Sequence, residues 1–196
     1  MKNRILSVRL SEDERNDQRG DEPAVPDVIL IRNQYPDAAA LHRVLDYVYR
    51  SGMIGGYAVD PVYAFREFML VKSAYQNIDG RQLLHFIVSF STTEAYRLSA
   101  DDMLALGYDI CHLFSGHQIV YALHMDSAHC HLHFVVNSVS FEDGKKHFSG
   151  FHDLFPVRDF LQECFPRSNV HIYQSFPDSD VNRFGCSDDD ELLRID

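Results

Sequence analysis

Residues His124–Asn137 read H-M-D-S-A-H-C-H-L-H-F-V-V-N, and this stretch decides the reading of the whole chain. It holds four of the chain's eleven histidines, an aspartate and an asparagine. In an extended strand successive side chains alternate between faces. His129, His131, His133, Val135 and Asn137 then share one face, and Cys130, Leu132, Phe134 and Val136 share the other. The second set is apolar and suits a core, so the strand can bury one face and hold a row of imidazoles on the other. Two histidines at i and i+2 on a strand can bind one metal, and a third ligand has to come from elsewhere. Asp126-Ser127-Ala128 reads as a turn, and an antiparallel partner ending at His124 would bring that ring back beside His131 and His133. Three neutral imidazoles that leave positions open describe a catalytic metal site better than a structural one. The competing reading is a row of hydrogen-bonded histidines with no ligand, and the density of the cluster argues against it. The strand-forming flanks argue against a low-complexity metal-storage tract.

Around this stretch, strand and helix patterns interleave. Val28–Ile31 is a short apolar run that suits a buried strand. Pro36-Asp37 opens a helix with Asp37 as N-cap, and Leu41, Val44, Leu45 and Val48 repeat at helical spacing. Gly55-Gly56 reads as a turn and Tyr57–Val59 as a brief strand. A second helix spans Pro61 to about Gln76, with Val62, Phe65, Phe68, Met69 and Lys72 in one stripe. Gln82–Phe90 alternates as a strong strand. A helix starts at Ser99 and runs to about Phe114, a strand covers His117–His124, and a last helix covers Phe151 to about Phe165. His171–Tyr173 suits an edge strand. The central hairpin favours an α+β fold, a mainly antiparallel sheet with helices packed on one side and the histidine row on an open face.

The length of 196 residues suits one domain, expected over 28–175, with a polar leader over 1–27 and an acidic, disordered tail over 176–196. A hydrophobic share of 45% supports a real core. No run of about 18 apolar residues marks a membrane span, and the N-terminus lacks the apolar region of a signal peptide. The cysteines at 111, 130, 164 and 186 form no C-x-x-C pair, which suits reduced thiols in a cytoplasmic protein. The formal net charge is −11, and the segment between leader and tail is itself acidic. Nucleic-acid-binding domains are usually basic, so the balance argues against tight DNA binding by this chain alone.

No Ser-His-Asp or H-E-x-x-H signature is present. Tyrosines cluster upstream at 35, 47, 49, 57 and 63. A tyrosine can attack phosphorus and hold a covalent intermediate, although most of ten tyrosines in a chain this size serve packing.

These residues resemble the relaxase, or mobilization nuclease, family of conjugative elements, a branch of the histidine-hydrophobe-histidine (HUH) endonucleases, and within it the P-type mobilization class. The family's metal motif runs H-x-D-x-x-H-x-H-x-H, then V-N-S-V-x-F-x-x-G-K-K. This chain has His124, Asp126, His129, His131 and His133, then Val136-Asn137-Ser138-Val139, Phe141 and Gly144-Lys145-Lys146. Upstream it has the Asp79-Gly80-Arg81-Gln82 block leading into His85-Phe86 and Ser89-Phe90. Leu45-Asp46-Tyr47-Val48 is similar to the helix end that carries the family's tyrosine. The resemblance covers roughly residues 28–170. It implies that His124, His131 and His133 hold Mg²⁺ or Mn²⁺, and that Tyr47 attacks single-stranded DNA at an origin of transfer. A 5′-phosphotyrosyl link and a free 3′-OH would result. Asp126 and His129 would orient the ligands, His85 and Asn137 would support the site, and Arg81, Lys145 and Lys146 would contact phosphates. An accessory DNA-binding mobilization protein is the implied partner. Two other readings stay open: a weak or inactive relaxase-like module that binds DNA or a partner, and a His₃ metallohydrolase that uses water as nucleophile.

Overall fold

The computed structural model describes residues 26–31, 34–90, 98–125, 130–148, 150–175 and 193–195. Among these, seven strands form one sheet: β1 (Asp27–Ile31), β2 (Ile54–Tyr57), β3 (Leu83–Phe90), β4 (Ile119–His124), β5 (Cys130–Asn137), β6 (Ile172–Ser175) and β7 (Leu193–Ile195). Their order is β2-β4-β5-β3-β1-β6-β7. Each neighbouring pair is antiparallel except β1 with β6. The α-helices are α1 (Ala38–Val48), α2 (Ala64–Ala74), α3 (Ala100–Cys111) and α4 (Phe155–Cys164). The fold is therefore α+β with a mainly antiparallel sheet, as the interleaved patterns predict. No helix among the described residues is long and apolar enough to cross a membrane.

The period of two along β3 and β5 builds the first core layer. Leu84, Phe86, Val88 and Phe90 share a face with Leu132, Phe134 and Val136, and α3 and α4 cover them with Met103, Leu106, Ile110, Val157 and Leu161. Phe86 and Phe134 face each other in register and stack with ring centroids 4.6 Å apart. Each buried side chain of this size contributes about 1.5–3 kcal/mol. The helices start where capping chemistry permits. The Asp37 carboxylate accepts from Ala40 N–H at 2.7 Å. Ser99 and Asp102 form a reciprocal capping box at the start of α3.

Helices pack on both faces of the sheet, not on one side. The histidine face also carries Leu83, Ile87, Val120, Ala122 and Val135, and these are buried by Leu41, Leu45 and Val48 of α1 with Ala64 and Phe68 of α2. An apolar patch of that size cannot remain in water, so α1 and α2 roof the face that alternation alone leaves open. Gly55 and Gly56 lie inside β2, not in a turn. A Cβ on Gly55 would sit 2.1 Å from Cζ of Tyr121, so the strand passes Tyr121 only because it has no side chain there. β6 is interior, flanked by β1 and by β7. β7 lies within the segment 176–196, where the sequence pattern marks no element.

Lys72 is fully buried. Its ammonium donates to Gln82 O at 2.7 Å, Asn137 Oδ1 at 2.5 Å and Ser138 Oγ at 3.0 Å, tying α2 to the start of β3 and the end of β5. Burial pushes its pKa down to about 7, with a smaller contribution from Lys146. Replacing it by an apolar residue removes a charged donor from three buried acceptors. Lys72→Met is expected to lower stability by about 2–4 kcal/mol, read as a lower midpoint in urea unfolding at unchanged slope.

Candidate functional site

His124 ends β4, and His131 and His133 lie near the start of β5. Antiparallel register sets His124 opposite His131 and Ala122 opposite His133. β3 adds His85, two residues before Ile87, the cross-strand partner of His133. Alternation turns all four rings toward α1, and all are buried, none more than 6% exposed. His133 is central. Its ring centroid lies 4.3 Å from that of His124, 5.6 Å from His85 and 6.3 Å from His131.

The roof supplies the tyrosine. Leu41, Leu45 and Val48 anchor α1 in the core, and Tyr47 sits half-buried on its flank. The Tyr47 ring is 5.4 Å from the His124 ring and 5.5 Å from the His133 ring, centroid to centroid. Arg50, one turn on, places its guanidinium carbon 5.8 Å from the centre of the Tyr47 ring. His124 Nε2 lies 3.1 Å from the carbonyl of Val48, an acceptor at the end of α1.

His85 and His133 are held in the neutral form. Burial drives His133 well below the usual histidine range, and His85, His124 and His131 add to this. Burial and the neighbouring His124 push His85 down to about 3. His85 Nε2 is 3.3 Å from His133 Nδ1, and the Tyr35 hydroxyl is 3.1 Å from His85 Nδ1. Tyr35 has φ 41°, a left-handed conformation that costs a non-glycine residue about 1–3 kcal/mol.

The chemistry of this donor set fits a divalent ion. A metal-binding imidazole has one nitrogen free and the other held by a protein group. The Val48 carbonyl holds Nε2 of His124 and leaves Nδ1, while His85 holds Nδ1 of His133 and leaves Nε2. Among the described residues, however, no three His, Cys, Asp or Glu groups stand close enough together in donor position to hold an ion as they are.

Other sequence candidates lie elsewhere. Asn137 shares the histidine face but is four residues beyond His133, about 13 Å along the strand. There it accepts from Lys72 and donates to Gln118 Oε1. Arg81 is at that same far end, its Nη1 3.5 Å from Phe148 O. Lys146 donates to the Asp79 carbonyl, and Lys145 is exposed and pairs with Asp143 at 3.7 Å. Asp126 and His129 lie outside the described residues. Arg50 was missed by the sequence analysis, although its i+3 spacing from Tyr47 places it on the same helix flank. Tyr35 has no such signal, because its contact depends on a left-handed residue placed against β3.

The comparisons with known proteins agree with the family that the sequence resembles. The chain belongs to the MobA/VirD2-like relaxase family, a family of DNA-nicking nucleases, whose nuclease domain matches residues 45–167. It is similar to Protein rlx of Staphylococcus aureus, 28% identical over 111 residues, which is 56% of this chain and 33% of that protein. The chain thus spans about a third of that relative's length. No solved structure matches the chain.

The depressed histidines make stability pH-dependent in the metal-free protein. Below about 6.5 the unfolded chain binds protons that folded His85 and His133 refuse, so stability falls as pH drops from 6.5 toward 3. Each group contributes up to about 1.4 kcal/mol per pH unit in that window. Urea unfolding at pH 7 and pH 5 should register the loss, and His85→Gln should flatten the slope.

Proposed function

We propose that this chain nicks and rejoins single-stranded DNA at an origin of transfer, with Tyr47 as nucleophile. The observation that carries this reading is the Tyr47 ring packed 5.4 Å from His124 and 5.5 Å from His133, against the histidine cluster. The phenolic oxygen of Tyr47 forms a bond to phosphorus as the bond from phosphorus to the 3′ oxygen breaks. The phenol gives up its proton and the departing 3′ oxygen takes one. The product is a 5′-phosphotyrosyl link, and its reversal rejoins strands. Because the new ester is close in energy to the old one, the same site serves both directions.

His124, His131 and His133 would hold Mg²⁺ or Mn²⁺, which when bound polarises the scissile phosphate and offsets its charge. Nδ1 of His124 and Nε2 of His133 are the donors left by their protein partners. Arg50, whose guanidinium carbon stands 5.8 Å from the centre of the Tyr47 ring, would supply positive charge to the phosphate as charge develops there. Asp126 and His129 would orient the ligands. Arg81, Lys145 and Lys146 would contact the DNA backbone away from the nick.

A second reading has its own support. The net charge of −11 opposes binding to a polyanion, which favours a module that engages DNA only beside a basic accessory protein. The two are separated by incubating the protein with Mn²⁺ and labelled oligonucleotides spanning the transfer origin of its element, and resolving products on a denaturing gel. A covalent adduct is expected with wild type, none with Tyr47→Phe or His131→Ala, and one slowed on the order of 10²-fold with Arg50→Ala. Binding without an adduct, unchanged by added accessory protein, would leave the module reading. Cleavage that survives Tyr47→Phe would assign the nucleophile to water.

A further inference from the structure

A second pair of imidazoles sits at the opposite end of β4 from His124. His117 stands two residues before β4, and the six residues of that strand put about 20 Å between it and His124. The His117 side chain is buried, with 4% of the residue exposed. Its ring lies 5.6 Å from that of His147, centroid to centroid, with the two planes at 88°. Each ring is held at one nitrogen by an oxygen that accepts. Nδ1 of His117 donates to the backbone carbonyl of Asn137 at 2.8 Å, so the lone pair of the neutral ring is on Nε2. Nε2 of His147 donates to Asp143 Oδ1 at 3.0 Å, and the N–H of Lys145 fixes the same oxygen at 3.0 Å. Among the described residues neither Nε2 of His117 nor Nδ1 of His147 has a hydrogen-bond partner.

We propose that His117 Nε2 and His147 Nδ1 are two donors of a second metal site, for a divalent ion of the zinc type, which Glu142 completes. A carbonyl behind one imidazole and a carboxylate behind the other is how proteins orient histidine ligands. The spacing suits a shared ion. A ring bound through nitrogen at about 2.1 Å has its centre about 3.2 Å from the ion, so two rings at a tetrahedral angle have centres about 5 Å apart. The third donor is at hand. A Cβ on Gly116 would stand 3.0 Å from Glu142 Oε2, which sets that carboxylate beside the residue preceding His117. Among the described residues the one hydrogen bond of the Glu142 residue is from its backbone N–H to Ser140 Oγ, so the carboxylate is free to turn. No three donors stand in place beforehand, and the ion draws the exposed Glu142 side chain across. The backbone beneath them is already pinned. Phe141 N–H donates to Gly116 O at 2.8 Å, and Ser140 N–H to Lys145 O at 2.9 Å. Two imidazoles, a carboxylate and a water in tetrahedral array suit Zn²⁺ rather than Mg²⁺ or Ca²⁺. The ion ties the turn 140–147 to the start of β4, a structural role remote from Tyr47.

The test uses the full chain, stripped of metal with a chelator, labelled with ¹⁵N-histidine and titrated with Zn²⁺. Calorimetry counts the ions, and long-range ¹H–¹⁵N correlation identifies the rings that bind them. Wild type is compared with His131→Ala, which disables the histidine cluster at the other end of β4. One Zn²⁺ is expected to bind in His131→Ala, shifting the resonances of His117 Nε2 and His147 Nδ1. His147→Ala and Glu142→Gln, both at exposed positions, are each expected to weaken that binding by at least about 10-fold. Zn²⁺ that leaves the His117 and His147 signals where they were overturns the site, and the same spectra decide it in wild type should His131→Ala fail to fold. Affinity unchanged by His147→Ala overturns it as well. Affinity lowered by His147→Ala and unchanged by Glu142→Gln overturns the part given to Glu142.

Discussion

The fold depends on covering one sheet face that is apolar at one end and lined with imidazoles at the other. Hydrophobic burial alone would place any amphipathic helix over Leu83, Ile87, Val120 and Val135. The imidazoles demand more, because a buried ring must have its nitrogens satisfied. α1 answers both demands. Leu41, Leu45 and Val48 fill the apolar part, and its C-terminal carbonyl takes the N–H of His124. Because α1 satisfies both, the helix that closes the core also sets Tyr47 against the histidines.

The two ends of β5 have become different kinds of structure. At its start, the polar groups are imidazole rings that face one another and the roof. At its end, Asn137 and Ser138 surround a buried ammonium, and Lys72 welds α2 to the sheet. The family's V-N-S segment belongs to this second assembly. Its polar residues serve the framework on which the histidines are mounted, which explains why a motif continuous in sequence is divided in space.

Much of this was legible from periodicity. The alternation of β5 separates the histidines from the apolar face, and the spacing of Leu41, Leu45 and Val48 gives the buried stripe of α1. Asp37 and Ser99 mark helix starts because capping is a local interaction. What was not legible depends on the third dimension. Gly55 and Gly56 read as a turn because nothing local reveals the Tyr121 ring over the strand. The roof over the histidines required knowing that Leu83 and Val135 share their face across strands. Lys145 and Lys146 follow the histidines closely in sequence, but β5 carries them to its far end, where Arg81 stands just before β3.

The hydrogen bond between His124 and the carbonyl of Val48 joins residues 76 apart in sequence, and Val48 is the immediate neighbour of Tyr47. His124 and Tyr47, the proposed ligand and nucleophile, are thus not independent parts set side by side. Any change that frays the last turn of α1 alters the imidazole, and any change that turns the imidazole loosens the backbone of the tyrosine. Their substitutions will be non-additive, and the pair behaves as one inherited unit that a sequence must keep or lose whole.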